Sequence, residues 1–259
     1  MLPFKRIFSI AFNTFREAVR DRVLYNLVLF VLLITVSAIF IGELTAGQEA
    51  RTIVNLGLGA MLIFGAFISI FVGVSLVSKE IEKRTVYAIF SKPISRAEFI
   101  LGKYLGLCLT LLVNVLIMGV GVALALFYVG GNGFAITIWG AIYLLFLELT
   151  ILTAVAILFS SFSSPALSAL LSFFVFIIGH FSAALRDLAQ NLGSQFAKYF
   201  FGTIYYLLPN LSNFVFRTET AHGITPPASM IFGATAYAIV YAAILLIITT
   251  LIFSRRNFK

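Results

Sequence analysis

Glu148 is the residue best placed to do chemistry. It interrupts the apolar run Leu144–Phe159, LLFLELTILTAVAILF. A charged carboxylate at the centre of a membrane-spanning helix costs about 2.5 to 3.5 kcal/mol unless it faces protein or water. Glu148 therefore either fixes helix packing as a neutral or hydrogen-bonded group, or lines a route for substrate or protons. The other reactive types are sparse. His180 and His222 are the only histidines, and neither has a cysteine or acid at metal-ligand spacing, so no ligand or catalytic role is expected of them. Cys108 is the only cysteine, which excludes disulfides within the chain and cysteine-based metal clusters, and it reads as a small buried hydrophobe. A phosphate-binding loop needs G-x-x-x-x-G-K-[ST], whose glycines let backbone amides approach the phosphates. The only Gly-Lys pair, Gly102-Lys103, has Ala97 at the first glycine position and Tyr104 at the hydroxyl position. No catalytic residue, metal or cofactor site is expected in the chain.

The elements that hold these residues are long and oily. Of 259 residues, 61% are hydrophobic and 11% charged, against roughly 25% charged in soluble domains. Six apolar stretches, near 24–42, 54–78, 104–128, 135–160, 166–185 and 228–253, match the roughly 20 residues that carry a helix across a bilayer core of about 30 Å. No short alternating strands appear, so the fold class is all-α: an integral membrane bundle of six transmembrane helices in a single domain, 1–259. Nor is there length to spare for a nucleotide-binding domain.

Six spans place both termini and the even-numbered loops on one side. That side holds fourteen of the 18 basic residues: five between Lys5 and Arg22, six between Lys79 and Lys103, and Arg255, Arg256 and Lys259. Arg51, Arg186, Lys198 and Arg217 fall on the other. The asymmetry makes the termini and the 79–103 loop cytoplasmic. It also accounts for the net charge of +8 without a nucleic-acid partner.

Residues 1–23 carry Phe4, Ile7, Phe8, Ala11, Phe12, Phe15, Ala18 and Val19 at helical spacing, with charges largely opposite. This predicts an amphipathic elbow helix at the cytoplasmic interface. Basic residues interleaved with its apolar positions, and no small-residue cleavage site after them, argue against a removable signal peptide. Gly130-Gly131-Asn132-Gly133 reads as a tight external turn, and Pro165 suits the first turn of the fifth span. The segment 186–227 is the longest external one. It is amphipathic at first, strongly apolar from Phe200 to Leu208, and broken at Pro209-Asn210. That apolar run is too short to span, which suggests a re-entrant or interfacial helical segment before span 6. Gly102 and Gly106, and the ridge Gly65, Ser69 and Gly73, allow close helix approach.

The charged interruption at 79–103 is the main cytoplasmic platform. Ile81 to Lys83 extends the second span; Val86, Tyr87, Ile89 and Phe90 form a short apolar cluster between Arg84 and Lys92, and Pro93 stops it. Ser95-Arg96-Ala97-Glu98 has capping-box spacing, so the third long helix starts near Ala97, inside the cytoplasm. An apolar cluster left exposed below a membrane is a candidate docking surface.

Several of these runs resemble a known family. Phe15–Tyr25 (FREAVRDRVLY), Glu80–Thr85 (EIEKRT), Ser91–Arg96 (SKPISR) and Gly102–Gly106 (GKYLG) are similar to the permease subunits of type-2 ATP-binding cassette (ABC) exporters. The resemblance covers the whole chain. It implies a coupling helix between spans 2 and 3 that docks on an ATPase subunit through Glu80, Glu82, Lys83, Arg84, Thr85, Val86, Tyr87 and Phe90. It implies two permease copies, alike or related, and two ATPase copies, with ATP and Mg bound by the partner. Substrate would pass between the permeases in the cytoplasmic (inner) membrane. Two other classes remain open: a secondary ion-coupled transporter, which would usually show inverted repeats and several midplane ionisable groups, and an intramembrane enzyme, which needs clustered acids, histidines or an activated nucleophile.

Overall fold

The computed structural model describes residues 3–20, 26, 29–30, 32–34, 36–37, 40–41, 47–82, 94–182, 184, 187 and 195–255. Among these the regular structure is helical: α1 (Pro3–Ala18), α2 (Glu49–Glu82), α3 (Arg96–Tyr128), α4 (Asn132–Ser160), α5 (Pro165–His180), α6 (Gln195–Leu207), a 3-10 turn (Leu211–Phe214), α7 (Arg217–Ala221) and α8 (Ala228–Arg255).

Four helices, α2, α3, α4 and α8, are long and apolar enough to cross a membrane. They correspond to predicted spans 2, 3, 4 and 6. The fifth differs from expectation. α5 has 16 residues, about 24 Å at 1.5 Å per residue, short of a full crossing. Predicted span 1, at 24–42, falls largely outside the described residues; every described position within it is helical.

The architecture is built around α4, which packs on α2, α3, α5 and α8. In its apolar window 72% of residues are buried, against 33% for α8, so α4 is the central helix and α8 a peripheral one. Its face toward α2 is closed by small residues: Gly65 lies against Leu149 and Gly73 against Ala156. The Ser69 hydroxyl donates to the Leu149 carbonyl at 2.9 Å and pairs with Thr153 at 2.7 Å. Such hydrogen bonds between membrane helices contribute about 0.6 kcal/mol each on average.

Local signals in the sequence set the helix ends. Ser95 caps α3 in a reciprocal box: its Oγ accepts from the Glu98 amide at 3.2 Å, and Glu98 Oε2 accepts from the Ser95 amide at 2.7 Å. Pro165 occupies the first turn of α5, where its missing N–H has no intrahelical partner to lose. Gly130 turns the chain from α3 to α4 at φ +76°, a conformation that side chains with a Cβ rarely adopt.

α1 packs across the start of α3. Gly102 and Gly106 make this possible: a Cβ on Gly102 would sit 2.6 Å from Ile10 Cγ2, and one on Gly106 2.5 Å from the Ala11 carbonyl oxygen. Thr14 and Ala18 are buried in the seam, while Phe4, Phe8 and Phe12 point outward. The apolar residues of α1 thus serve two surfaces, one against α3 and one facing away from the protein.

Candidate functional site

Glu148 is 1% exposed, on the face of α4 turned toward α5 and the segment before α7. Its Oε1 lies 3.2 Å from Nε2 of His180, at the last position of α5. Sequence spacing offers no hint of this pair, because the two residues belong to different helices and meet only through packing. The imidazole is held in place by its own helix: Nδ1 is 3.0 Å from the Phe176 carbonyl oxygen, and the Phe176 ring packs edge-on at 4.7 Å.

That carbonyl settles the tautomer. A carbonyl oxygen only accepts, so Nδ1 carries the hydrogen, and a neutral imidazole then presents a bare Nε2 to Glu148. Two acceptors at 3.2 Å repel unless a proton lies between them. Neither Glu148 Oε1 nor His180 Nε2 has a well-directed hydrogen bond among the described residues. The pair therefore holds one proton, as carboxylic acid with imidazole or as carboxylate with imidazolium, and is neutral overall in either form.

The pair lies at the wall of a cavity of about 190 Å³. It is otherwise lined by Leu58 and Leu62 of α2, Ala141 and Leu145 of α4, and Phe214, Val215, Phe216 and Arg217. The segment 209–217 closes it and is firmly seated. Leu211 and Phe214 are buried. The Asn210 amide donates to the Tyr237 hydroxyl at 2.9 Å, and its side-chain oxygen accepts from Ser212 at 2.6 Å and from Ser182. Gly179 lets this segment come close, since a Cβ there would lie 2.8 Å from the Pro209 carbonyl oxygen. The break expected at Pro209-Asn210 is thus the point where the chain turns inward to line the cavity.

A second polar cluster lies at the opposite end of the bundle, around the start of α3. Lys103, 4% exposed, places Nζ 3.4 Å from Glu17 Oε2 of α1. Arg6 lies 3.9 Å from Glu98. Arg96 donates through Nη1 to the carbonyls of Phe253, at 2.8 Å, and Ser254 at the end of α8. Those carbonyls lack intrahelical donors and carry the negative end of the helix dipole, which suits a guanidinium. Glu80 and Glu82 fall on the last turn of α2. Lys83, Arg84, Thr85, Val86, Tyr87 and Phe90, with the coupling helix expected there, lie outside the described residues, as does much of 186–194. Among the described residues no three His, Cys, Asp or Glu side chains converge as a metal site. Cys108, on α3, is half-buried.

The comparison with known families decides what this bundle is. The family model described as ABC-2 family transporter protein matches residues 8–258. The chain belongs to the ABC-2 transporter family. It is a multi-pass membrane permease, the membrane component of an ABC transporter, and not itself the catalytic component; the family implies an ATP-binding partner in general. No curated protein matched the chain. The match to the ABC-2 family runs through the elbow, the platform and the segment 209–217, so both polar clusters of the permease lie inside the family's own domain.

Proposed function

We propose that this ABC-2 permease is the transmembrane subunit of an ATP-driven exporter. It pairs with a second permease copy and receives energy from two ATPase subunits that bind ATP and Mg. The ATPases dock on the 79–103 loop, through Glu80, Glu82, Lys83, Arg84, Thr85, Val86, Tyr87 and Phe90. Both termini face the cytoplasm, the membrane is the inner one, and α1 lies at its cytoplasmic interface as the elbow. The 200–210 segment is re-entrant or interfacial at the outer face. ATP binding closes the ATPases and moves the docked loops, which switches the permease pair between inward and outward states.

The observation that carries this reading is the structure at the ends of the platform. α2 continues to Glu82, and α3 restarts at a fully formed capping box. Arg6, Lys103 and Arg96 then tie that restart to α1 and to the end of α8. A push on the loop is thereby delivered to two other elements at once. The outward-facing apolar groove between α3 and α8, lined by residues including Leu101, Tyr104, Ile239 and Ile247, suits lipid or the second copy. In the test, Tyr87→Asp and Arg84→Glu are expected to abolish co-purification of the ATPase and transport while leaving the permease folded. Retention of both would overturn the docking site. The buried Glu148–His180 pair is the one feature that favours an ion-coupled secondary transporter instead, and proton-driven uptake by the permease alone in ATP-free liposomes would select that reading.

A further inference from the structure

The cavity under segment 209–217 combines three features that serve no evident packing purpose. The first is Glu148, almost wholly buried, whose Oε1 is turned to the cavity and lacks a well-directed hydrogen bond among the described residues. The second is Arg217, on the opposite wall. Its guanidinium lies across α2 at Gly59, where a Cβ would come within 2.7 Å of Nη1, and it is close enough to His180 to act on it electrostatically. Arg217 makes no ion pair or hydrogen bond among the described residues. The third is an apolar wall of Leu58, Leu62, Leu145 and Phe214 between the two.

The charge balance follows from the tautomer. The titratable or charged groups lining the cavity are Glu148 from α4, His180 from α5 and Arg217 from the start of α7; α2 contributes only leucines to the lining. With one proton on the Glu148–His180 pair the lining carries a net charge of +1. A guanidinium without a protein partner, beside an apolar wall, complements a single carboxylate-like head, which it can hold with two parallel hydrogen bonds. The volume of about 190 Å³ is below the roughly 300 Å³ of sites for drug-sized ligands, so the occupant is small.

We propose that this cavity is a binding site for a small monoanion with an apolar body. Arg217 takes the anionic head, the leucine and phenylalanine wall takes the body, and the Glu148–His180 pair sets the charge of the floor. The proposal names the cargo class of the exporter and so rests on the transport reading. Binding to the permease alone needs no ATPase, so failure here and failure of ATPase docking are separate results.

The sign of the pH dependence is fixed by the same balance. Where the pair loses its proton at high pH, the lining falls from +1 to zero and the anion is held more weakly. An amide in place of the carboxyl has no such proton to lose, so Glu148→Gln is expected to keep binding at high pH.

The experiment is calorimetric titration of the full chain in lipid nanodiscs with hexanoate, with hexylamine and hexanol as probes of equal length. Hexanoate is expected to bind at one site per chain and the other two not to bind at that site. Arg217→Gln should weaken hexanoate about ten- to a hundredfold, as loss of a charge-assisted pair does, and Arg217→Lys should retain most of the binding. Binding that fades at high pH in the native chain should persist in Glu148→Gln. Absence of hexanoate binding, equal binding of hexylamine or hexanol, or indifference to Arg217→Gln would each overturn the site. Should Arg217→Gln fail to fold, the probe comparison and Arg217→Lys still decide: an Arg217→Lys chain that folds but loses the charge preference overturns it.

Discussion

At the scale of single residues, Glu148 and His180 stabilise each other through one proton, and substitutions that keep a hydrogen-bonding partner differ in effect from those that remove it. In Glu148→Gln the amide can donate to the bare Nε2 of His180, so stability should change by less than about 1 kcal/mol. His180→Leu leaves the carboxyl buried with nothing to share a proton with, and the expected loss is about 1 to 3 kcal/mol, typical of a buried polar group that loses its partner. Denaturant titration of both variants in the same detergent reads the difference. Equal losses would mean that the 3.2 Å contact carries no net energy. Glu148 itself is legible from the sequence, because a single carboxyl inside a long apolar run is conspicuous. Its partner is not. His180 lies on another helix, at no periodic spacing from Glu148, and only the packing of α4 against α5 brings them together.

At the scale of elements, the seam between α1 and α3 depends on two glycines whose missing side chains are filled by α1. At Gly106 the nearest obstacle to a Cβ is backbone, the Ala11 carbonyl at 2.5 Å, and backbone cannot swing aside as a side chain can. Gly106→Ala should therefore displace α1 and cost about 1 to 3 kcal/mol, the usual range for overpacking. It should also expose the bonds after Arg6 and Arg16 to trypsin. Gly133, on α4 with open space around its Cβ position, is the control: Gly133→Ala should be neutral or slightly stabilising. Trypsin sensitivity unchanged in Gly106→Ala would show that α1 is not held by this seam. The spacing of Gly102 and Gly106 announces a close approach but not what approaches, and here it is the amphipathic α1. Hydropathy locates α2, α3, α4 and α8 because their apolar runs end at charges, caps or turns. It overestimates the fifth span because an apolar run fixes how far a helix could extend, whereas α5 ends where the Pro209 carbonyl presses on Gly179.

At the scale of the whole molecule, two polar clusters sit at opposite ends of a bundle organised by α4, one around the start of α3 and one under segment 209–217. α8 is the element that touches both. Its Tyr237 and Tyr241 hold Asn210 and the Leu207 carbonyl at 2.9 Å each, and its last carbonyls accept from Arg96. In the proposed exporter α8 is thus the direct mechanical link from the energy-receiving platform to the cavity. Arg96→Gln shortens the side chain and removes the charge that binds the end of α8, while Ser95 and Glu98 still cap α3. The ATPase should therefore continue to co-purify, and its basal hydrolysis should persist. Transport by the reconstituted complex should fall at least about tenfold, equivalent to about 1.4 kcal/mol of lost coupling. The informative measurement is the ratio of cargo moved to ATP hydrolysed. A ratio unchanged in Arg96→Gln would place the coupling route elsewhere, through α2 or through α1 by way of Lys103 and Glu17, and a loss of ATPase binding would place Arg96 in the docking surface itself.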